Sequence, residues 1–275
     1  MTNVGLNLRI MTTIEELIMQ ARRLELSSFQ SFVTFHETGK YITFSQEMHK
    51  RYLHHKKDIV IYVHGSYKIN LASTIHTQNS CYFLKKELEL AKKLESDYLV
   101  VHPGSIEMGK TREQGIDAIA KKINSVYKKG KYPTLLVENV AFGNRSIGGD
   151  IYDLALLRSK IDKPEKVQFC IDTAHAFSFG YNIADSREQH KFIQLLDELL
   201  GIDSIALLHI NDTKEKLGSQ HDRHELPGDG LIGREALAQF IADPRLKHIP
   251  CIVELPNLSE EALKKVVITV RGWRS

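Results

Sequence analysis

Residues 204–213 read SIALLHINDT, an apolar, strand-forming run that ends in polar groups. This pattern is typical of a buried parallel strand whose side chains become functional at its carboxyl end, and His209 stands where the change occurs. Further along, Asp222 and His224 are two residues apart, and an extended chain points such side chains to one face, where they can hold one cation. For this pair alone, a solvated polar loop is the alternative. The stretch predicts a parallel α/β fold with part of a metal site on the loop after one strand.

Apolar strand-like runs alternate with helix-length amphipathic segments along the chain, eight of each. Capping-box signals begin several predicted helices, namely Thr12 with Glu15, Thr111 with Gln114, and Ser186 with Gln189. The predicted strands are residues 4–10, 27–34, 58–66, 97–105, 134–140, 167–175, 204–213 and 250–256. Eight βα units without a break in composition predict a single (β/α)8 TIM barrel domain over residues 1–275. A doubly wound open sheet is the alternative.

The composition is that of a soluble globular protein, with 42% hydrophobic residues, 26% charged residues and a net charge of +3. No apolar run is as long as a membrane span, and the N-terminus, MTNVGLNLRI, lacks the pattern of a signal peptide. We therefore expect an intracellular, cytoplasmic protein with no membrane partner. The three cysteines are far apart and form no C-x-x-C, which disfavours disulfides and thiolate zinc sites.

Polar side chains fall at the carboxyl ends of six consecutive predicted strands, the end where TIM barrels build their active sites. Each has a plain explanation by itself, such as a helix cap, but six in a row predict convergence on one mouth. With the D-x-H pair they make nine candidate metal ligands: His64, His102, Glu138, Asp172, His175, His209, Asp222, His224 and Glu254. Imidazole mixed with carboxylate suits zinc, manganese or iron, and this number of ligands fits two or three ions.

Six motifs contain these residues: VHGSYKIN (63–70), VVHPGS (100–105), LVENVA (136–141), CIDTAHAFSFGY (170–181), LLHINDTKEKLGSQHDRHELPGDGLIG (207–233) and VELP (253–256). In them the chain resembles, over nearly its full length, the endonuclease IV family of apurinic/apyrimidinic endonucleases, within the xylose isomerase-like TIM barrel superfamily. The resemblance implies a site for three Zn²⁺ ions, with Mn²⁺ or Fe as alternatives at one or more positions. It assigns His64, His102 and a bridging Glu138 to one ion, Glu138, Asp172, His209 and Glu254 to the second, and His175, Asp222 and His224 to the third.

The reaction implied by the resemblance is hydrolysis of the phosphodiester 5′ to an abasic site, which leaves a 3′-hydroxyl and a 5′-deoxyribose phosphate. Glu138 and Glu254 are then the catalytic residues, as metal-bound groups that activate a bridging water. The family also trims blocked 3′ ends in base excision repair. We therefore expect the partner to be double-stranded DNA with abasic sites or blocked 3′ ends, and the protein to act as a monomer.

Candidate DNA contacts lie on the loops around the predicted mouth. Tyr67 matches a tyrosine that the family inserts into the base stack, and Lys68 follows it where relatives often have leucine. Four further cations are candidates for phosphate contacts, namely Arg145, Lys214, Lys216 and Arg223. The segment TFHETGKY (34–41) lacks the Arg and Gln contacts that the resemblance leads us to expect.

Two other function classes are open from the sequence. A sugar isomerase or epimerase of the same barrel superfamily would use one or two divalent metals on a small polyol, and the D-x-H pair that supplies a third metal position discriminates against it. A lesion-binding protein without turnover would be indicated by a missing ligand, and all nine are present.

Overall fold

The computed structural model describes residues 3–35 and 37–274. Of the predicted domain, residues 1, 2 and 275 lie outside the described residues, as does His36 in the segment TFHETGKY. Across the described residues no helix is both long enough and apolar enough to cross a membrane.

Eight parallel strands close into a barrel in sequence order, and the first strand pairs with the last. They are β1 (Val4–Asn7), β2 (Ser28–Phe32), β3 (Val60–His64), β4 (Tyr98–Val101), β5 (Thr134–Glu138), β6 (Val167–Asp172), β7 (Ile205–His209) and β8 (Cys251–Val253). The pairing of Val4 with Cys251 and of Leu6 with Val253 excludes the open sheet. The TIM barrel prediction is therefore confirmed.

The α-helices of the described residues surround the barrel, and one follows each strand except β6, which is followed by two. They are α1 (Ile14–Arg23), α2 (Gln46–Lys56), α3 (Thr77–Lys93), α4 (Arg112–Lys129), α5 (Ile151–Ser159), α6 (Thr173–Phe179), α7 (Ser186–Leu200), α8 (Arg234–Ala242) and α9 (Glu260–Gly272). Their apolar faces pack on the outer faces of the strands in one continuous core, with residues such as Leu84, Ile119 and Phe240 fully buried.

Helix α6 was not predicted, and the predicted strand 167–175 is therefore too long. The strand ends at Asp172 because the Asp172 carboxylate accepts a hydrogen bond of 2.8 Å from the backbone N–H of His175, which caps a new helix. His175 consequently lies in the first turn of α6, and its side chain enters the mouth from a helix instead of a strand.

Of the three predicted capping boxes, the one at Thr111 is confirmed, with both reciprocal hydrogen bonds to Gln114 present. The other two predictions were wrong by one residue. The Thr13 hydroxyl caps α1 by accepting from the backbone N–H of Glu16. The Asp185 carboxylate caps α7 by accepting from the backbone N–H groups of Arg187 and Glu188.

The inner face of the barrel explains where the functional side chains lie. One layer inside it consists of Tyr62, Val100, Leu136, Cys170, Leu207 and Ile252, one residue from each of β3 to β8. Side chains alternate between the two faces of a strand, so the residue two positions further on each strand also points inward, but at the carboxyl end. Those residues are His64, His102, Glu138, Asp172, His209 and Glu254.

Candidate metal centre

Glu138 lies at the centre of the mouth and is fully buried. Its Oε2 atom is 3.2 Å from His64 Nε2 and 3.2 Å from His102 Nε2. Its Oε1 atom is 2.9 Å from His209 Nδ1. The two oxygens of one carboxylate therefore face two different groups of imidazoles, which is the arrangement that a carboxylate bridging two cations requires.

A second group surrounds His209 on the side of Glu138 Oε1. His209 Nδ1 lies 3.5 Å from Glu254 Oε2 and 3.8 Å from Asp172 Oδ2. One ligand atom from each of Glu138, Asp172, His209 and Glu254 can be chosen so that all four lie within 4.8 Å of one another. Three carboxylates and one imidazole could hold a divalent cation here.

A third group joins the D-x-H pair to α6. Asp222 Oδ1 lies 3.2 Å from His175 Nε2 and 3.2 Å from His224 Nε2. The same nitrogen of His224 is 3.8 Å from Asp172 Oδ2, which connects this group to the second one. The structure thus brings together all nine residues that the sequence singled out, and their role as ligands stays a prediction.

Hydrogen bonds to backbone carbonyls orient two of the buried imidazoles, those of His64 and His175. His64 Nδ1 donates to the Gly65 carbonyl, and His175 Nδ1 donates to the Asn139 carbonyl, each at 2.9 Å. Because a carbonyl oxygen only accepts, Nδ1 carries a proton in each ring, and Nε2 is the nitrogen left free to bind a cation. Histidines that bind metals are oriented by partners of this kind.

Two buried nitrogens, His175 Nε2 and His224 Nε2, have no hydrogen-bond partner among the described residues. Both face the Asp222 carboxylate, and an unpaired buried polar atom is unfavourable unless something else binds it. A divalent cation between these three groups would bind both orphaned atoms. The donor set and these orphaned atoms therefore fit a metal.

The pKa shifts in the mouth follow from the packing of carboxylates against imidazoles. Burial by itself raises the pKa of Glu138, but the charges of His209 and His102 outweigh burial and hold that pKa well below its ordinary value. Burial by itself lowers the pKa of His175, but Asp172 and Asp222 outweigh it and raise the pKa well above its ordinary value. Without metal the neighbouring carboxylates favour the protonated form of His175, and a bound cation would replace that proton.

Cys170 also lies close to the centre, although the sequence analysis left all cysteines out of the site. Its sulfur is within 4.8 Å of ligand atoms of Glu138 and His209. Burial raises the pKa of the Cys170 thiol to about 12, so the group is a neutral thiol in the inner layer of the barrel.

Two amide side chains that the sequence analysis missed hold the ligands in place. Gln30 on β2 donates to Glu254 Oε1 at 2.7 Å, and its oxygen accepts from His209 Nε2 at 2.9 Å. Asn211 donates to Asp172 Oδ2 and accepts from the Glu254 backbone N–H at 2.8 Å. The sequence could have indicated Gln30, because it is a polar residue that points into the barrel from strand β2.

Asp212, also missed, organises the loop that carries the D-x-H pair. It is fully buried, and its carboxylate accepts from the backbone N–H groups of Thr213, Gly228, Gly230, Ile232 and Gly233 at 2.8–3.2 Å. A Cβ at Gly230 would lie 2.3 Å from Asp212 Oδ1, so only glycine permits this approach. The Asp212 carbonyl accepts from Glu225, one residue beyond His224, at 2.7 Å.

A groove of about 700 Å³ opens beside the mouth and reaches Asp222, His224 and Glu254. Tyr67 and Lys68 line it, and Tyr67 is 77% exposed. Lys68 Nζ donates to the Gly39 carbonyl at 2.9 Å, so this lysine already has a partner on the loop after β2.

The remaining predicted DNA contacts lie on exposed loops after β5 and β7. Arg145 and Lys216 are exposed, Lys214 forms an ion pair with Glu225, and Arg223 lies 3.4 Å from Glu215. Exposed ion pairs of this kind are weak, so both cations can exchange their partners for phosphate groups. Their assignment to DNA remains a prediction.

Known proteins are similar to this chain in sequence and in fold. The xylose isomerase-like TIM barrel family matches residues 20–271. The "Probable endonuclease 4" of Thermotoga maritima is 36% identical over 202 residues, which are 73% of this chain and 70% of that protein. The "Apurinic-apyrimidinic endonuclease 1" of Schizosaccharomyces pombe is 34% identical over 213 residues, which are 77% of this chain and 62% of that protein.

The solved structure of endonuclease IV from Thermus thermophilus superposes with a TM-score of 0.86 at 28% identity, and the superposition covers 98% of both chains. The similarity in structure therefore covers nearly the whole barrel. The chain belongs to the endonuclease IV family, whose fold is the xylose isomerase-like TIM barrel.

Proposed function

We propose that this member of the endonuclease IV family is a zinc-dependent DNA-repair endonuclease that hydrolyses the phosphodiester 5′ to an abasic site, leaving a 3′-hydroxyl and a 5′-deoxyribose phosphate. The observation that carries the proposal is the position of Glu138, with Oε2 facing His64 and His102 and Oε1 facing His209. Glu138 so placed would offer one oxygen to each of two cations, which would supply the positive charge that phosphodiester hydrolysis needs.

We assign three zinc ions to the three groups of ligands, because the donors are imidazoles and carboxylates and the third group is complete in His175, Asp222 and His224. Bound zinc would supply a water that ionises near neutral pH, together with positive charge for the phosphate and the leaving oxygen.

The chain's own residues preorganise this centre. Gln30 and Asn211 hold Glu254, while Gln30 also holds the His209 ring. The Glu254 carboxylate and the His209 ring are therefore held in position before the substrate arrives, so little reorganisation would be needed during reaction. Asp212 holds the loop that brings Asp222 and His224 to the centre.

The groove beside the centre is the proposed place of the abasic nucleotide. Tyr67 projects from its wall and would enter the base stack, while Lys68, Arg145, Lys214, Lys216 and Arg223 would contact phosphates. We further propose that the chain acts as one domain and as a monomer on double-stranded DNA, and that the same centre removes blocking groups from 3′ ends.

The test is incision of a duplex oligonucleotide that carries one tetrahydrofuran abasic analogue, with undamaged duplex as the control. We expect cleavage only 5′ to the analogue, lost after chelation and regained with zinc. Zinc-loaded protein that leaves this duplex intact would contradict the proposal and favour a sugar isomerase or epimerase, which aldose and ketose substrates would then reveal.

A further inference from the structure

Glu87 on α3 is a fully buried carboxylate that is none of the nine predicted ligands. Its oxygens accept hydrogen bonds from the Tyr41 hydroxyl at 2.8 Å, from the Ser66 backbone N–H at 2.9 Å, and from the Ser66 hydroxyl. All three donors are neutral. A buried carboxyl group is unfavourable unless hydrogen bonds compensate for it, so these donors and Glu87 depend on one another.

The donors lie on two different loops. Tyr41 belongs to a hairpin after β2, in which Thr34 bridges to Tyr41 and the Phe35 N–H donates to the Lys40 carbonyl at 2.9 Å. Ser66 belongs to the loop after β3 and directly precedes Tyr67. We name the described residues among 33–42 the hairpin and residues 65–70 the tyrosine loop. Glu87 is hydrogen-bonded to both.

Lysine side chains reinforce the same connection. Lys68 of the tyrosine loop donates to the Gly39 carbonyl of the hairpin at 2.9 Å and lies 5.5 Å from the centre of the Tyr41 ring. Lys86, next to Glu87 on α3, lies 4.4 Å from that ring centre. Tyr41 is thus held by the hydrogen bond of its hydroxyl to Glu87 and by the ammonium groups of Lys68 and Lys86 over its ring.

Together the hairpin and the tyrosine loop form one wall of the groove. The hairpin contributes Thr34, Phe35 and Gly39, and the tyrosine loop contributes Ser66, Tyr67 and Lys68. Glu254 and His224 of the metal centre lie in the same groove. An exposed side chain such as Tyr67 binds a distorted duplex more tightly when the loop that carries it is already rigid. A loop that becomes ordered only on binding loses conformational entropy, and this loss reduces affinity.

We propose that Glu87 is a positioning residue for lesion recognition: it joins the hairpin and the tyrosine loop into one rigid wall and so sets the position of Tyr67 relative to the metal centre. This inference rests on the proposed function, since its consequence is binding of abasic DNA. The hydrogen bonds of Glu87 go to Tyr41 and Ser66, neither of which is a predicted ligand. Its loss should therefore weaken substrate binding and leave the chemical step intact.

The experiment compares Glu87→Ala, Glu87→Gln and Tyr41→Phe with Glu89→Gln, which changes an exposed glutamate of the same helix. Hydrogen exchange would follow the hairpin and the tyrosine loop in each variant. We expect Glu87→Ala to speed exchange in both segments and Tyr41→Phe to speed it mainly in the hairpin. Glu87→Gln keeps the shape but replaces one of the two acceptor oxygens with an NH2 donor, so its effect should be intermediate.

Steady-state incision of the tetrahydrofuran duplex supplies the functional readout. For Glu87→Ala we expect KM to rise about tenfold with kcat within about twofold of the wild type, the size expected when buried hydrogen bonds are lost. Bound zinc should not change. Fluorescence of 2-aminopurine beside the analogue should rise less on binding than with the wild type, because Tyr67 enters the stack less well.

Several results would overturn the proposal: exchange that changes in only one segment for Glu87→Ala, kinetics like those of Glu89→Gln, or loss of zinc and kcat at constant KM. Zinc-loaded wild type that fails to incise would overturn the proposed function instead. In that case the exchange data would still decide whether Glu87 joins the two loops.

Discussion

The Nδ1 atom of His209 lies 2.9 Å from Oε1 of Glu138, although 71 residues separate the two in the sequence. Each stands two positions beyond an inner-layer residue of its strand, Leu207 on β7 and Leu136 on β5. Closure of the barrel places these equivalent positions at the same level along the barrel axis. Their proximity makes Glu138 the shared ligand of the proposed centre.

Replacement of Glu138 or Glu254 by Gln should abolish incision while preserving the fold. The amide keeps the shape of the side chain but removes the negative charge that attracts the cations, so kcat should fall by about 10³-fold or more. Incision of the tetrahydrofuran duplex, bound zinc and circular dichroism are the measurements. The control is Glu198→Gln, which changes an exposed residue of α7. Near-normal cleavage by Glu138→Gln would contradict the assignment of the paired metals.

Gln30→Ala should weaken zinc binding by about 10- to 100-fold, the usual effect of removing a partner that orients a metal ligand. Gln30 hydrogen-bonds both Glu254 and His209, and its loss frees the carboxylate and the ring. Competition with a chromophoric chelator would measure zinc affinity. Gln168→Ala, near the opposite end of β6, is the matched control, and equal affinities for the two variants would exclude a role for Gln30.

Asp212→Asn should destabilise the protein by about 2–3 kcal/mol, since the amide group replaces one of the two oxygens that accept backbone N–H groups. The loop that carries Asp222 and His224 should loosen with it. Urea unfolding would measure the stability, and zinc titration should reveal one weakened site. Unchanged stability would mean that the loop holds its shape without the Asp212 carboxylate.

The metal-free protein should be most stable between about pH 4.5 and pH 6.5. The pKa values of His175 and His209 are raised in the folded chain, so their contribution is complete below their ordinary pKa of 6.5 and is lost as the pH rises through the raised values. The pKa values of Glu138 and Glu254 are lowered, so their contribution is complete above 4.5 and is lost as the pH falls through the lowered values.

Zinc should reverse this dependence at the alkaline side, because cations bind the deprotonated imidazoles and replace their protons. Calorimetric Tm values across about pH 4–9, with and without zinc, are the measurement. The difference in Tm between the two forms should grow as the pH rises above about 6.5. A metal-free Tm that keeps rising to the alkaline end of this range would contradict the expected coupling of these groups.

The sequence by itself determined the barrel and the candidate ligands on its strands. Alternation of apolar runs with amphipathic segments predicts βα units, and a polar residue at the carboxyl end of consecutive strands predicts a common mouth. Both features are local, because they depend on the order of residues within each strand and helix and not on contacts between distant parts of the chain. The same reasoning wrongly placed His175 on a strand. The apolar pattern continues there, but Asp172 caps helix α6 and ends the strand.

Only the tertiary structure decided which partners support the site. Gln30 and Glu254 are 224 residues apart, Asp212 reaches across its loop to Gly233, and Glu87 meets Tyr41 and Ser66 from a different element. None of these pairs has a characteristic spacing in the sequence. Each depends on closure of the barrel and on loop paths, which fix the distances between side chains that are remote along the chain.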